Sequence, residues 1–244
     1  KSKIILNAHR VNDGQSFITK EEIAEKVEDD FFYIAETNKA RILSEILSLS
    51  GDRLKQYGDY DFLKNIQVIS PTKNGELGTK ELNVVLQQTV NPPDNHKKER
   101  KFGNTIFREG DRIMQIKNNY DIYWEKHGDK PEVGSGVFNG EFGTILNIDD
   151  FNKQIKIGFD DEKMVWYAYN ELEQIEHAYA ITVHKAQGSE FDVVIMPITQ
   201  AAPMLLTRNL LYTGMTRAKK LLIIIGDGTV IGYMIQTTHN KNTN

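Results

Sequence analysis

Thr182, His184, Lys185, Gln187, Gly188 and Glu190 crowd into the stretch AYAITVHKAQGSEFDVVIMPI, directly ahead of an apolar run from Val193 to Ile198. The hydroxyl of Thr182 and the ring of His184 can donate to anionic oxygens, and Gln187 can both donate and accept. Gly188 allows a backbone to approach a ligand closely. Glu190 only accepts, which suits a sugar hydroxyl or a bridging water. A polar turn beside a buried strand is where α/β sheets place their ligands. The competing account is a capped helix end closed by a glycine. For any one of these residues alone that account is the better one, and the six together favour a ligand.

Three further groups carry chemistry. In TRNLLYTGMTRAKK, residues 207–220, Leu210, Leu211 and Met215 belong to a core. Arg217 can spread its fork over several oxygens of a transferring phosphate, while Lys219 and Lys220 are read as cations complementing a helix C-terminus. In ISPTKNGELG, residues 69–78, Ser70, Thr72 and Lys73 sit between a strand and a helix, which makes either an anion site built on exposed N–H groups or a plain turn with Ser70 or Thr72 as a cap. Tyr120, Tyr123, Trp124, Phe138 and Phe142 are first of all candidates for a β core, with base stacking as the alternative.

These groups need elements to hold them. Residues 1–95 read as alternating strand and helix: a short strand at Ile4 to Leu6, a stronger one at Phe31 to Ile34, a helix capped by Thr37 and carrying Ile42, Leu43, Ile46 and Leu47, a buried strand at Ile66 to Ile69, and a helix over 77–90 stopped by Asn91-Pro92-Pro93. That alternation implies a parallel sheet. HKKERKFGNT, 96–105, reads as a basic linker, and 106–174 as four or five short strands, enough for a small barrel. VVIMPI and LLIIIGD are continuous apolar strands, as expected for a sheet covered on both faces, with a helix between them over roughly 207–219. The expected layout is an α/β domain over 1–100 and 176–244, interrupted by a small all-β barrel at 101–175. The polar tail HNKNTN is expected to fray.

Bulk numbers exclude several classes. A chain of 244 residues with a net charge of −4 does not grip a polyanion by charge alone, so any such binding is local. There is no cysteine, hence no disulfide or thiolate chemistry. The acidic clusters Asp29-Asp30, Asp149-Asp150 and Asp160-Asp161-Glu162 read as solvated turns, no His pair has metal spacing, and no apolar run is long enough for a membrane helix. There is no G-x-x-x-x-G-K-[ST] and no apolar strand ending in Asp-Glu, so the parts for phosphoryl transfer are incomplete. A first residue other than Met, in a stretch already apolar, suggests a piece of a longer chain.

NAHRVN, ISPTKNGELGTKELNVVLQ, FREGDRIMQIKNNYD, VFNGEFGTI, AITVHKAQGSEFDVVIMP and TRNLLYTGMTRAKK resemble, in that order, the C-terminal half of the RecD-like superfamily 1 DNA helicases, the exodeoxyribonuclease V alpha-subunit family. The resemblance implies a RecA-like second motor domain with an inserted barrel of the Src-homology type. It implies that residues 182–190 correspond to helicase motif V, with Thr182, His184 and Lys185 toward single-stranded DNA and Gln187, Gly188 and Glu190 toward the nucleotide. Residues 212–220 correspond to motif VI, with Arg217 as arginine finger, and Ser70, Thr72 and Lys73 touch the DNA backbone. ATP with Mg is then the cofactor, bound mainly by a first motor domain of the same parent chain. Single-stranded DNA and repair or recombination proteins are the implied partners, the setting is cytoplasmic, movement is 5′ to 3′, and this stretch alone is inactive as an ATPase. Two other readings stay open: a DNA- or protein-binding module without ATPase activity, and the helicase part of a conjugative relaxase.

Overall fold

The computed structural model describes residues 1–19, 22 and 27–238. The tail HNKNTN lies outside them. The chain divides into two compact units, residues 1–85 with 180–244, and residues 86–179.

The first unit is built on a five-stranded parallel sheet flanked by helices. Its strands are β1 (Phe31–Ala35), β2 (Ile66–Ser70), β12 (Ala180–Thr182), β13 (Phe191–Ile198) and β14 (Ala218–Gly226), in the order β1-β14-β13-β2-β12. All five residues of β2 are buried, and Val193 to Met196 are fully so. That explains why these strands read as unbroken apolar runs rather than alternating ones.

The chain opens with a helix, α1 (Lys3–Asn12), where a strand was expected at Ile4 to Leu6. The deciding pattern is Ile4, Asn7, Ala8 and Val11, all buried and all on one helical face. Asp30 fixes its start, accepting from Ser2 Oγ and from the N–H groups of Lys3 and Ile4. The Asp29-Asp30 pair is therefore not simply a solvated turn, because Asp30 is a buried helix cap, and the helix favours a negative charge at that end. Helix α2 (Lys39–Ser48) is capped by Asn38, whose Oδ1 accepts from Arg41 N at 3.1 Å, and not by Thr37. It continues through a π-turn, Leu49–Arg53, into α3 (Leu54–Gly58). Helix α4 (Thr79–Val90) leads out of the sheet, and α5 (Val183–Ala186), α6 (Arg208–Met215) and α7 (Gly228–Gln236) complete the unit. Helix α6 ends four residues short of the expected Lys219. Lys219 and Lys220 lie on β14 and pair with Asp192 at 3.7 and 3.9 Å, so they serve no helix dipole.

The second unit is antiparallel. The stretch expected as a linker is a hairpin of β3 (Glu99–Phe102) and β4 (Thr105–Arg108). Seven strands, more than the four or five expected, follow in the order β11-β5-β8-β9-β10-β6-β7. They are β5 (Arg112–Gln115), β6 (Asn119–Lys126), β7 (Glu132–Val137), β8 (Phe142–Asp149), β9 (Gln154–Phe159), β10 (Met164–Ala168) and β11 (Ile175–His177). Alternate residues meet in one core that includes Phe107, Ile113, Ile145, Ile157, Val165 and Tyr167. The aromatic residues expected there are mostly elsewhere. Tyr120, Tyr123 and Phe138 are exposed, and Trp124 packs only partly against the core.

At the root of this unit Asp111 is completely buried. It accepts from Arg108 N, Gln87 Nε2, Asn91 Nδ2, Tyr179 OH and the ring of His177, at 2.6 to 2.8 Å. Burial alone pushes its carboxyl pKa up, but the hydrogen bond and charge of His177, with the bonds from Tyr179 and Arg108, outweigh that and hold it below the usual value. Residues entering the unit and residues leaving it are thus tied to one carboxylate. Among the described residues no helix is long and apolar enough to cross a membrane.

Candidate functional site

In a parallel sheet the carboxyl ends of the strands form one edge, and side chains from consecutive loops collect there. The register sets Thr182, the last residue of β12, opposite Ser70, the last residue of β2. The loop after Ser70 is tightly determined. Ser70 is 1% exposed, and its Oγ donates to Leu77 O at 2.8 Å and accepts from Thr72 N. Thr79 N and Lys80 N donate back to Thr72 O and Lys73 O. Leu77 adopts φ +62 with its side chain buried, a conformation that persists only where the surroundings enforce it. Ser70 therefore holds the loop from beneath, and Thr72 and Lys73 are the residues it presents.

A cleft of about 590 Å³ opens over this edge. Lys39 and the loop from Pro71 to Glu76 form one side of its lining, with Thr182 and His184; Gln200, Ala201, Ala202 and Leu205 complete it. Four of the sequence candidates, Thr72, Lys73, Thr182 and His184, meet here. Lys185 is half-buried and does not line the cleft. Lys39, Gln200 and Leu205 were not anticipated. Their signal was positional: Lys39 follows the carboxyl end of β1 and Gln200 that of β13, the same edge that carries Ser70 and Thr182.

The opposite edge holds the other candidates. Phe191, at the start of β13, is level with Ala218 at the start of β14, and its N–H donates to Arg217 O at 2.8 Å. The Arg217 guanidinium donates from Nε to Thr213 O at 3.1 Å, from Nη1 to Ser189 O at 3.0 Å and from Nη2 to Thr216 Oγ1 at 3.2 Å. Arg217 is thereby attached to the segment that carries Gly188 and Glu190. Gly188 has φ +80 with open space where a side chain would stand, and Gln187 and Glu190 are exposed.

Residues 183–190 join these two edges. Thr182 lies level with the carboxyl end of β2, whereas Val193 lies level with Ile66 at its amino end. The helix-capping account is also correct in part, since Thr182 Oγ1 accepts from Lys185 N at 3.3 Å and caps α5. The cap occupies one lone pair of the hydroxyl and leaves its proton to donate. Among the described residues no group of acidic or histidine side chains could hold a metal ion.

The chain thus combines a parallel sheet with polar segments at both edges and an antiparallel unit inserted between β2 and β12. Residues 177–225 match the UvrD-like helicase C-terminal domain, and residues 82–159 match the SH3 domain of ATP-dependent RecD-like DNA helicases. The segments matched and the relatives found are those of RecD-like superfamily 1 helicases, to which the chain is similar. It is 32% identical to the ATP-dependent RecD2 DNA helicase of Deinococcus radiodurans over 63% of this chain and 19% of that protein. It is 30% identical to the RecBCD enzyme subunit RecD of Buchnera aphidicola over 66% of this chain and 25% of that subunit. An uncharacterized protein of Methanocaldococcus jannaschii is 29% identical over 92% of this chain and 20% of its own length. The chain thus spans about a fifth to a quarter of the curated relatives it matches. In fold it is similar to the Pif1 helicase from Bacteroides, solved in complex with ADP-AlF3 and ssDNA, with a TM-score of 0.52 at 16% identity over 95% of this chain and 50% of that one. The Pif1 helicase from Candida albicans gives 0.51 at 13% identity over 98% of this chain and 55% of that one.

Proposed function

We propose that the chain is the second motor domain, with its inserted SH3 domain, of an ATP-dependent DNA helicase or translocase. In this reading the cleft holds the backbone of single-stranded DNA on Lys39, Thr72, Lys73, Thr182 and His184. Gln187, Gly188 and Glu190 face the nucleotide, and Arg217 is the arginine finger. ATP with Mg is bound mainly by a first motor domain that supplies the P-loop, which this sequence lacks. Movement 5′ to 3′, a cytoplasmic setting and work in repair or recombination are the family's contribution to the proposal.

The observation that carries it is the path of residues 183–190, which link the cleft at one sheet edge to Arg217 at the other. A segment in contact with two sites can bias both, and such a coupling is reciprocal. The cleft supports a single strand over a duplex. Its polar and cationic residues suit phosphates, while Ala201, Ala202 and Leu205 suit unpaired bases, which a duplex hides. The three hydrogen bonds of Arg217 leave two of its five N–H groups for a phosphate.

The test is ATP hydrolysis by the full-length protein with and without single-stranded DNA. Strong stimulation is expected, and Arg217→Ala should lower turnover by about 10³-fold while nucleotide still binds. Normal turnover in that variant would remove Arg217 from the reaction, and no hydrolysis by the folded wild-type protein would leave a binding module.

A further inference from the structure

The outer surface of the antiparallel sheet carries a feature the motor reading does not use. Strand β10 lies between β6 and β9. Trp166 is paired with Lys156 on β9. On the other side, Val165 pairs with Trp124, so the antiparallel register brings Trp166 next to Tyr123. Both rings face solvent, with Trp166 42% and Tyr123 56% exposed. The core beneath is complete without them. Exposed aromatic residues side by side on adjacent strands contribute little to folding and favour association, so their presence calls for a ligand.

Between them is a pocket of about 230 Å³ lined by Tyr123, Glu125, His127, Lys156, Met164 and Trp166. Tyr123 OH donates to Glu125 Oε1 at 2.8 Å, and His127 Nε2 lies 3.5 Å from Glu125 Oε2. Lys156 Nζ stands 5.7 Å from the centre of the Trp166 ring. The pocket thus offers two aromatic faces, one carboxylate held in place by its neighbours, and one ammonium at the rim. An aliphatic side chain of a peptide would answer the rings but use neither the remaining lone pairs of Glu125 nor the ammonium of Lys156. A nucleotide answers all of them: a ring for the rings, an exocyclic amino group for the carboxylate, and a phosphate for the ammonium.

We propose that this pocket takes a nucleobase of single-stranded nucleic acid, stacked on Trp166 and Tyr123, with Glu125 accepting from its amino group and Lys156 meeting an adjacent phosphate. It is a second contact for the strand, separate from the cleft of the parallel unit. Glu125 favours bases that present an amino group, so cytosine binds better than thymine.

Both tryptophans of the chain, Trp124 and Trp166, lie in this unit, so their emission reports on it and not on the cleft. Titration of the 244-residue protein with oligo(dC) should quench that emission. Trp166→Phe should abolish the quenching with Trp124 still present, and Tyr123→Ala should weaken binding about ten-fold, as expected for one lost stacking partner. Glu125→Gln, which exchanges an acceptor-only group for one that also donates, should reduce or reverse the preference of oligo(dC) over oligo(dT). Circular dichroism checks that each variant remains folded. The proposal is overturned by unchanged emission at saturating oligo(dC), or by quenching that survives in Trp166→Phe. Equal quenching by free dCMP would assign the pocket to a mononucleotide and overturn the strand reading. Quenching by a proline-rich peptide but not by the oligonucleotides would make it a protein-docking site instead.

Discussion

Replacing Asp111 by Ala removes the acceptor on which five donors converge, while leaving the apolar core of the antiparallel unit intact. Gln87 Nε2 also reaches Ile106 O, and Asn91 Nδ2 also reaches Glu109 O. The bonds from Arg108 N, His177 and Tyr179 to the carboxylate are lost as well, at roughly 1.5–3 kcal/mol for each hydrogen bond to a charged group. Because neighbouring losses do not add, the range for breaking one buried charged pair, about 3–5 kcal/mol, is the better guide. With a urea dependence of about 2 kcal/mol per molar, the midpoint of unfolding should fall by about 2 M. Tryptophan emission reads this directly, since Trp124 and Trp166 are both in the affected unit. The carboxyl pKa of Asp111 is lowered in the folded state, so its contribution is present above the unfolded value of about 3.9 and is lost as pH falls through the folded value. The gap between wild type and variant should therefore persist at neutral pH and close below pH ~4. A midpoint shift under about 0.5 M at pH 7 would show that the network is not what ties the root of this unit together.

Other perturbations test other parts. Gly226→Ala would place a methyl 2.0 Å from Ile198 O where β13 and β14 run side by side, so loss of soluble protein or destabilisation above about 3 kcal/mol is expected in thermal melts. Gly78→Ala would set a methyl 2.7 Å from the carbonyl oxygens of Lys73 and Asn74. The loop must then shift, and single-strand affinity measured by fluorescence anisotropy should drop more than thermal stability does. Lys73→Ala should weaken the same binding and flatten its log–log salt dependence by about 0.7, the value of one single-strand phosphate contact. An unchanged slope would take Lys73 out of the cleft's phosphate contacts.

Several parts of the molecule were legible in the residues themselves. Runs such as VVIMPI and LLIIIG read as covered strands, because they leave no face for water, are rich in β-branched residues and are short for a buried helix. The clustering of Thr182, His184, Gln187 and Glu190 marked one segment, and the order of segments indicated the fold class. Errors came where one local signal competed with another. Ile4 to Leu6 is apolar enough for a strand, yet Ser2 and Asp30 cap a helix there, and Asp30 is distant in sequence. Lys219 and Lys220 fit a helix end by type, but β14 has already begun, because Ala218 pairs with Phe191. The exposed Tyr123 and Trp166 could not be told from core residues, since alternation gives two faces without saying which one is wet.

Sequence by itself determined which strands are buried, which residues can bind or donate, and that the P-loop is absent from these 244 residues. Only the tertiary structure decided how those residues are distributed. Strand pairing sends Thr182 to one edge of the sheet and Glu190 to the other, joins Arg217 to Ser189, adds Lys39 and Gln200 to the cleft, and buries Ser70 beneath its loop. The physical reason is that residue type fixes what a side chain can do, whereas its neighbours and its contact with water depend on the register of strands far apart in the chain.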